Sequence, residues 1–142
     1  MVQDRNESEA ATVLVVDDEE DIVTYLVTLL QDCGYQALGA CDAAAALEAI
    51  DVVAPNLILL DIMMPGQSGL SLFQKLRGSV KTADVPVLFI SGCHQIEELS
   101  TLEESGNVKI AEAACYFEKP IRAEELMRRI RELLPQTREV VL

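Results

Sequence analysis

Residues Leu57 to Gly69 read LILLDIMMPGQSG. Four apolar residues, Leu57, Ile58, Leu59 and Leu60, run into an acid at Asp61, and Pro65, Gly66 and Gly69 then break regular structure. A short unbroken apolar run bounded by turn signals fits a strand covered on both faces, as in a parallel sheet. Periodicity by itself also admits a buried helix. In open parallel sheets chemistry sits just beyond the carboxyl ends of the strands. Asp61 is therefore a candidate reactive carboxylate, with a helix cap or loop acid as the plain alternative.

Working outward, the same pattern recurs. Thr12 to Val16 (TVLVV) is a second apolar run that stops at acids, Asp17, Asp18, Glu19, Glu20 and Asp21. A helical pattern follows with Ile22, Tyr25, Leu26, Leu29, Leu30 and Cys33 on its inward side, and Gly34 stands as the C-terminal stop. Tyr35 to Ala40 predicts a strand, and Asp42 caps a helix from Ala43 to about Val53. Beyond Asp61 come a helix from about Leu70 to Arg77, a buried strand over Val85 to Ile90, and an irregular region from His94 to Ala114. A last strand, Cys115 to Glu118, precedes Lys119-Pro120, and a final helix covers about Ala123 to Leu134.

Five strands alternating with helices predict an α/β fold, a parallel sheet covered on both faces. Right-handed crossovers and a crevice where the strand order reverses point to a flavodoxin-like three-layer α/β/α sandwich of order 2-1-3-4-5. That order delivers Asp17 and Asp18, Asp61, Ser91 and Lys119 to one rim.

Composition narrows the classes of function. The 142 residues suit one domain, and with 50% hydrophobic residues but only 4% aromatic the core must be aliphatic. A net charge of −13 repels phosphate backbones, which argues against direct nucleic-acid binding and favours cations and basic partners. No apolar run approaches a membrane span, and the polar N-terminus lacks a signal-peptide core, so a cytoplasmic location is expected. Cys33, Cys41, Cys93 and Cys115 form no CxxC and no zinc-like spacing with His94. They read as small buried thiols in a reducing compartment.

Carboxylates gathered at one rim repel unless a cation holds them, and Mg²⁺ suits hard oxygen ligands together with a phosphate. A further carboxylate can then attack phosphorus and hold a phosphoryl group as a mixed anhydride, with a hydroxyl and an ammonium neutralising the oxygens. Glu19, Glu20 and Asp21 have a plainer explanation in the dipole of the helix they open.

The pieces VLVVDDEE, LILLDIMMPGQSG, VPVLFISG and YFEKP, in this order, resemble the receiver domain of two-component response regulators from Thr12 to Leu134. The resemblance implies that Asp61 is the phosphoacceptor, charged by a histidine kinase or histidine phosphotransfer domain. It implies Mg²⁺ held by Asp17, Asp18, Asp61 and the backbone carbonyl of Met63. Ser91 and Lys119 would contact the phosphoryl oxygens, Tyr116 would be the switch aromatic, and Pro120 would follow a cis bond. The surface from the fourth helix through the fifth strand to the last helix would change on phosphorylation, control a partner or output domain, and offer a homodimer contact.

Departures from the family pattern carry expectations too. The interval between Ser91 and Lys119 is long, and Glu112-Ala113 stands where Gly-Ala is usual, which implies a lengthened or broken fourth helix. Met63 and Cys93, each two residues beyond a site residue, orient water poorly and suggest a slowly hydrolysing phosphate; packing against the loop is their plainer role. Val23 and Val27 fall opposite the inward stripe of the first helix and suggest a kinase-docking pair. Residues 1–11 are expected to be a flexible extension, 12–134 the receiver domain, and 135–142 a tail or linker start. A Mg²⁺-dependent aspartyl-phosphate hydrolase and an interaction-only receiver are the alternatives to a non-enzymatic switch. The former would want an acid at position 63, where Met63 stands, and the latter would not need the full set of rim residues.

Overall fold

The computed structural model describes residues 10–62, 64, 69–91 and 115–134. Strands β1 (Thr12–Val16), β2 (Gln36–Ala40), β3 (Leu57–Asp61), β4 (Val87–Ser91) and β5 (Cys115–Glu118) form one sheet of order β2-β1-β3-β4-β5. All four neighbouring pairs are parallel. The helices are α1 (Glu20–Asp32), α2 (Ala43–Val53), α3 (Gly69–Arg77) and α4 (Ala123–Leu133).

The unbroken apolar runs follow from this layering. Side chains alternate across a strand, so Val13 and Val15 of β1 join Leu57 and Leu59 of β3 and Leu88 and Ile90 of β4 on one face. There they meet Leu26 and Leu30 of α1 and Leu126, Met127 and Ile130 of α4. Leu14 and Val16, Ile58 and Leu60, and Val87 and Phe89 point the other way, onto Ala46 and Ile50 of α2 and Leu72, Phe73 and Leu76 of α3. Every residue of β3 is buried. Full burial of one such aliphatic side chain contributes about 1.5–3 kcal/mol, which fixes the register: slipping a strand by one residue exchanges its two faces.

Local chemistry ends the elements where expected. Gly34, at φ 97°, closes α1. Its N–H donates to the Gln31 carbonyl and that of Tyr35 to Leu30, a paired arrangement that satisfies the helix's last carbonyls. Asp42 accepts the Ala45 N–H at 2.7 Å and starts α2. Among the described residues no helix is long and apolar enough to cross a membrane.

One helix face differs from the sequence expectation. Val23 is buried and Val27 packs partly buried against the same core, whereas Tyr25 is 50% exposed. Val23 and Val27 are therefore not an outward docking pair. The reason lies in β2, where Gly39 presents no side chain. A Cβ built there would collide with Val23 Cγ1 and lie 3.6 Å from Val27 Cγ2. The helix settles its two valines into that bare patch, and this rotates Tyr25 into solvent. The lengthened region 92–114 and the segments 1–9 and 135–142 lie outside the described residues.

Candidate functional site

The carboxyl ends of β1, β3 and β5 build the site. Asp17 directly follows β1, and its N–H donates to the Ala40 carbonyl at 3.1 Å, continuing the ladder to β2. Its side chain is fully buried. Oδ1 accepts the Glu19 N–H at 2.9 Å, while Oδ2 faces the Lys119 ammonium. Asp61 ends β3 opposite Ile90 and is 2% exposed. Asp18 is exposed. One carboxylate oxygen from each of Asp17, Asp18 and Asp61 lies within 4.8 Å of the others.

Lys119 arrives from beyond β5. Its Nζ stands 3.0 Å from Glu19 Oε1, 3.2 Å from Asp17 Oδ2 and 3.7 Å from Asp61 Oδ2. Partial burial lowers the lysine's pKa, but the hydrogen bond to Glu19 and the charges of Asp61 and Asp17 outweigh it and hold the group above its ordinary range. The Lys119–Pro120 peptide is cis.

The donor set fits a hard divalent cation. It consists of carboxylate oxygens, which such ions prefer, and the buried Asp17 Oδ2 is met by the Lys119 ammonium at 3.2 Å without a well-aligned hydrogen bond. Three acids packed this closely repel one another, and the single ammonium of Lys119 leaves negative charge in excess.

Two participants escaped the sequence reading. Glu19 reads there as one more acid in a first turn, yet its carboxylate reaches Lys119, 100 positions away. Gly69 reads as a structure breaker, yet its N–H donates to the Ile62 carbonyl at 2.6 Å. A Cβ there would collide with the Asp61 carbonyl oxygen and lie 3.0 Å from Ile62 Cα. The start of α3 thus presses on the backbone that carries Asp61. No local signal marks either role: the Glu19 contact spans 100 positions, and at Gly69 the deciding feature is a missing side chain.

Cys41 also differs from expectation. It is exposed, not buried, because it follows the last residue of β2 at the same rim. Partial desolvation and the neighbouring charges of Glu20, Asp42, Asp17 and Asp18 push its thiol pKa up. Cys33 is half-buried, as a packing thiol should be. Met63, Cys93 and the side chains of Ser91, Tyr116 and Cys115 lie outside the described residues.

A family model described as the response regulator receiver domain matches residues 13–131. The chain belongs to the response regulator receiver family. It is 36% identical over 130 residues, 92% of the chain and 51% of the relative, to a probable transcriptional regulator, ycf27, of Cyanophora paradoxa. The DNA-binding dual master transcriptional regulator RpaA of Synechocystis is 33% identical over 125 residues, 88% of the chain and 49% of the relative. Among solved structures, Vibrio cholerae chemotaxis protein CheY4 superposes with a TM-score of 0.76 at 26% identity, covering 88% of the chain and 99% of that structure. The receiver chain spans about half the length of the curated relatives it matches.

Proposed function

We propose that this receiver accepts one phosphoryl group on Asp61 from a phosphohistidine donor and acts as a switch, not as an enzyme with metabolic turnover. The observation that carries the reading is the placement of Lys119 Nζ within 4 Å of both Asp17 and Asp61, beside a third acid, Asp18. In the transfer a carboxylate oxygen of Asp61 attacks phosphorus. The P–N bond to the donor imidazole breaks, and the imidazole nitrogen keeps the bonding pair. Asp17, Asp18 and Asp61, with the Met63 carbonyl, would hold Mg²⁺. The bound ion supplies charge neutralisation for the phosphoryl oxygens and for the acids themselves. Lys119 is already charged where those oxygens arrive, and its position requires no deprotonation. Ser91 would hydrogen-bond a phosphoryl oxygen, and Tyr116 would respond to the movement of Ser91.

The partners follow from the same chemistry. A histidine kinase or histidine phosphotransfer domain donates, in the cytoplasm where the kinase's ATP is found. Two of the relatives are named transcriptional regulators, which supports an output that controls transcription, through another domain or a bound partner. The acidic receiver itself would not touch DNA. The surface of β5 and α4, together with the residues 92–114 that precede β5 in the chain, would read the phosphorylated state and pair with a second copy. Residues 12–134 would form the receiver unit, with 1–11 and 135–142 as flanking segments. Met63 and Cys93 would leave the phosphate slow to hydrolyse.

Incubation with acetyl phosphate and Mg²⁺, followed by intact mass measurement, tests this. The wild type should gain one phosphoryl group that persists, and Asp61→Asn should gain none. Continuous release of inorganic phosphate from phosphate esters would instead support the hydrolase. No adduct with any donor would leave an interaction module.

A further inference from the structure

Glu19 breaks a local rule. It occupies the N-cap position of α1, with extended backbone at φ −90° and ψ 109°, but its side chain makes no cap hydrogen bond. Glutamate is not among the residues that cap well, and Asp17 ties down this turn by accepting the Glu19 N–H. The Glu19 carboxylate is therefore spare as far as the helix is concerned. It is spent on Lys119, at the shortest of that lysine's three ion-pair distances, 3.0 Å against 3.2 Å to Asp17 and 3.7 Å to Asp61. A residue that departs from the local preference at a functional rim calls for a functional reason.

We propose that Glu19 is a positioning residue: it holds the Lys119 ammonium on the outer side of the pocket until a phosphoryl group competes for it. This rests on the reading of Asp61 as phosphoacceptor. The two arms of the lysine differ in solvation. Glu19 has a side chain 57% exposed, whereas those of Asp17 and Asp61 are 0% and 3% exposed. An exposed ion pair is weak and easily exchanged. A phosphoryl group brings additional negative charge and strong acceptor oxygens to Asp61, in the more desolvated part of the pocket where charge interactions count for more. Lys119 then leaves the wet partner for the dry one. Glu19 sets how far the unphosphorylated state resists phosphorylation, and its release accompanies the switch.

The test is a double-mutant cycle on the full chain, read as the rate of phosphorylation by acetyl phosphate with saturating Mg²⁺. Glu19→Gln should react about two- to fivefold faster than wild type, the factor an exposed ion pair is worth. Glu20→Gln removes the same formal charge from the adjacent position, and should change the rate by a smaller factor. On a Lys119→Met background, Glu19→Gln should behave as Glu20→Gln does. The ¹⁵N signal of the Lys119 ammonium gives a readout independent of rate: it should shift in Glu19→Gln and not in Glu20→Gln. A Glu19→Gln rate at or below that of wild type, equality with Glu20→Gln, or an undiminished effect without Lys119 would overturn the proposal. Wild type and Asp61→Asn are run alongside. If wild type gains no phosphoryl group, the phosphoacceptor reading fails; if it reacts but the cycle shows no coupling, only the role of Glu19 fails.

Discussion

Replacing Gly69 by alanine is the sharpest probe of how the fold aims Asp61. The added methyl would collide with the Asp61 carbonyl oxygen and stand 2.9 Å from Asp61 C and 3.0 Å from Ile62 Cα. All three are backbone atoms, which have no rotamer through which to escape. Nor can α3 simply back away, because the Gly69 N–H is bonded to the Ile62 carbonyl at 2.6 Å. Either that bond breaks or the end of β3 moves. Overpacking of this kind costs about 1–3 kcal/mol, and at this chain length each kcal/mol lowers Tm by roughly 2–4 °C. A displacement of Asp61 by about 1 Å would slow transfer by up to about a hundredfold. Gly78→Ala is the matched control, since a Cβ there meets nothing closer than the Gln74 carbonyl at 3.5 Å. Thermal melts and acetyl phosphate kinetics of the two variants decide the matter. If Gly69→Ala melts like Gly78→Ala and accepts phosphate at the wild-type rate, the claim that α3 braces the phosphoacceptor is wrong.

Three other outcomes are expected. Gly39→Ala should destabilise by about 1–3 kcal/mol by pressing on the stiff, buried Val23, and on a Val23→Ala background the added cost should fall by about 1 kcal/mol. Denaturant titration of the four proteins measures this coupling. In metal-free buffer, Lys119→Met should melt below wild type because Asp17 loses its counter-charge. The raised pKa of Lys119 means that its contribution is complete below the unfolded lysine value of about 10.4 and fades as pH rises through the higher folded value. The gap between the two Tm values should therefore close only in strong alkali, and a gap that closes near neutrality contradicts the pairing. Mg²⁺ at ten times its dissociation constant should stabilise wild type by about 1.4 kcal/mol, and Asp17→Asn should remove most of that gain in calorimetry.

How much of this could be read from the sequence depends on whether the cause is local. The strands β1, β3 and β4 announce themselves because burial on both faces leaves no polar position to interrupt them. Gly34 and Asp42 are legible for a similar reason, since each completes hydrogen bonds within its own turn. The meeting of Asp17, Asp18 and Asp61 follows from strand order alone, because β1 and β3 are neighbours. The facing of α1 is not legible in this way. Ile22, Val23, Tyr25, Leu26, Val27, Leu29 and Leu30 spread around more than one side of the helix, and a glycine on another strand chose among them. Glu19 was hidden in a run of five acids whose side-chain directions depend on one turn of backbone. Gly69 looked like a turn residue because a missing methyl leaves no trace in a hydropathy pattern.

The bond between Glu19 and Lys119 joins parts of the chain 100 positions apart. A ribosome makes the acids early and their counter-charge late. A nascent or truncated receiver that has β1 and β3 but not β5 thus carries Asp17, Glu19 and Asp61 without the ammonium of Lys119 that pairs with them.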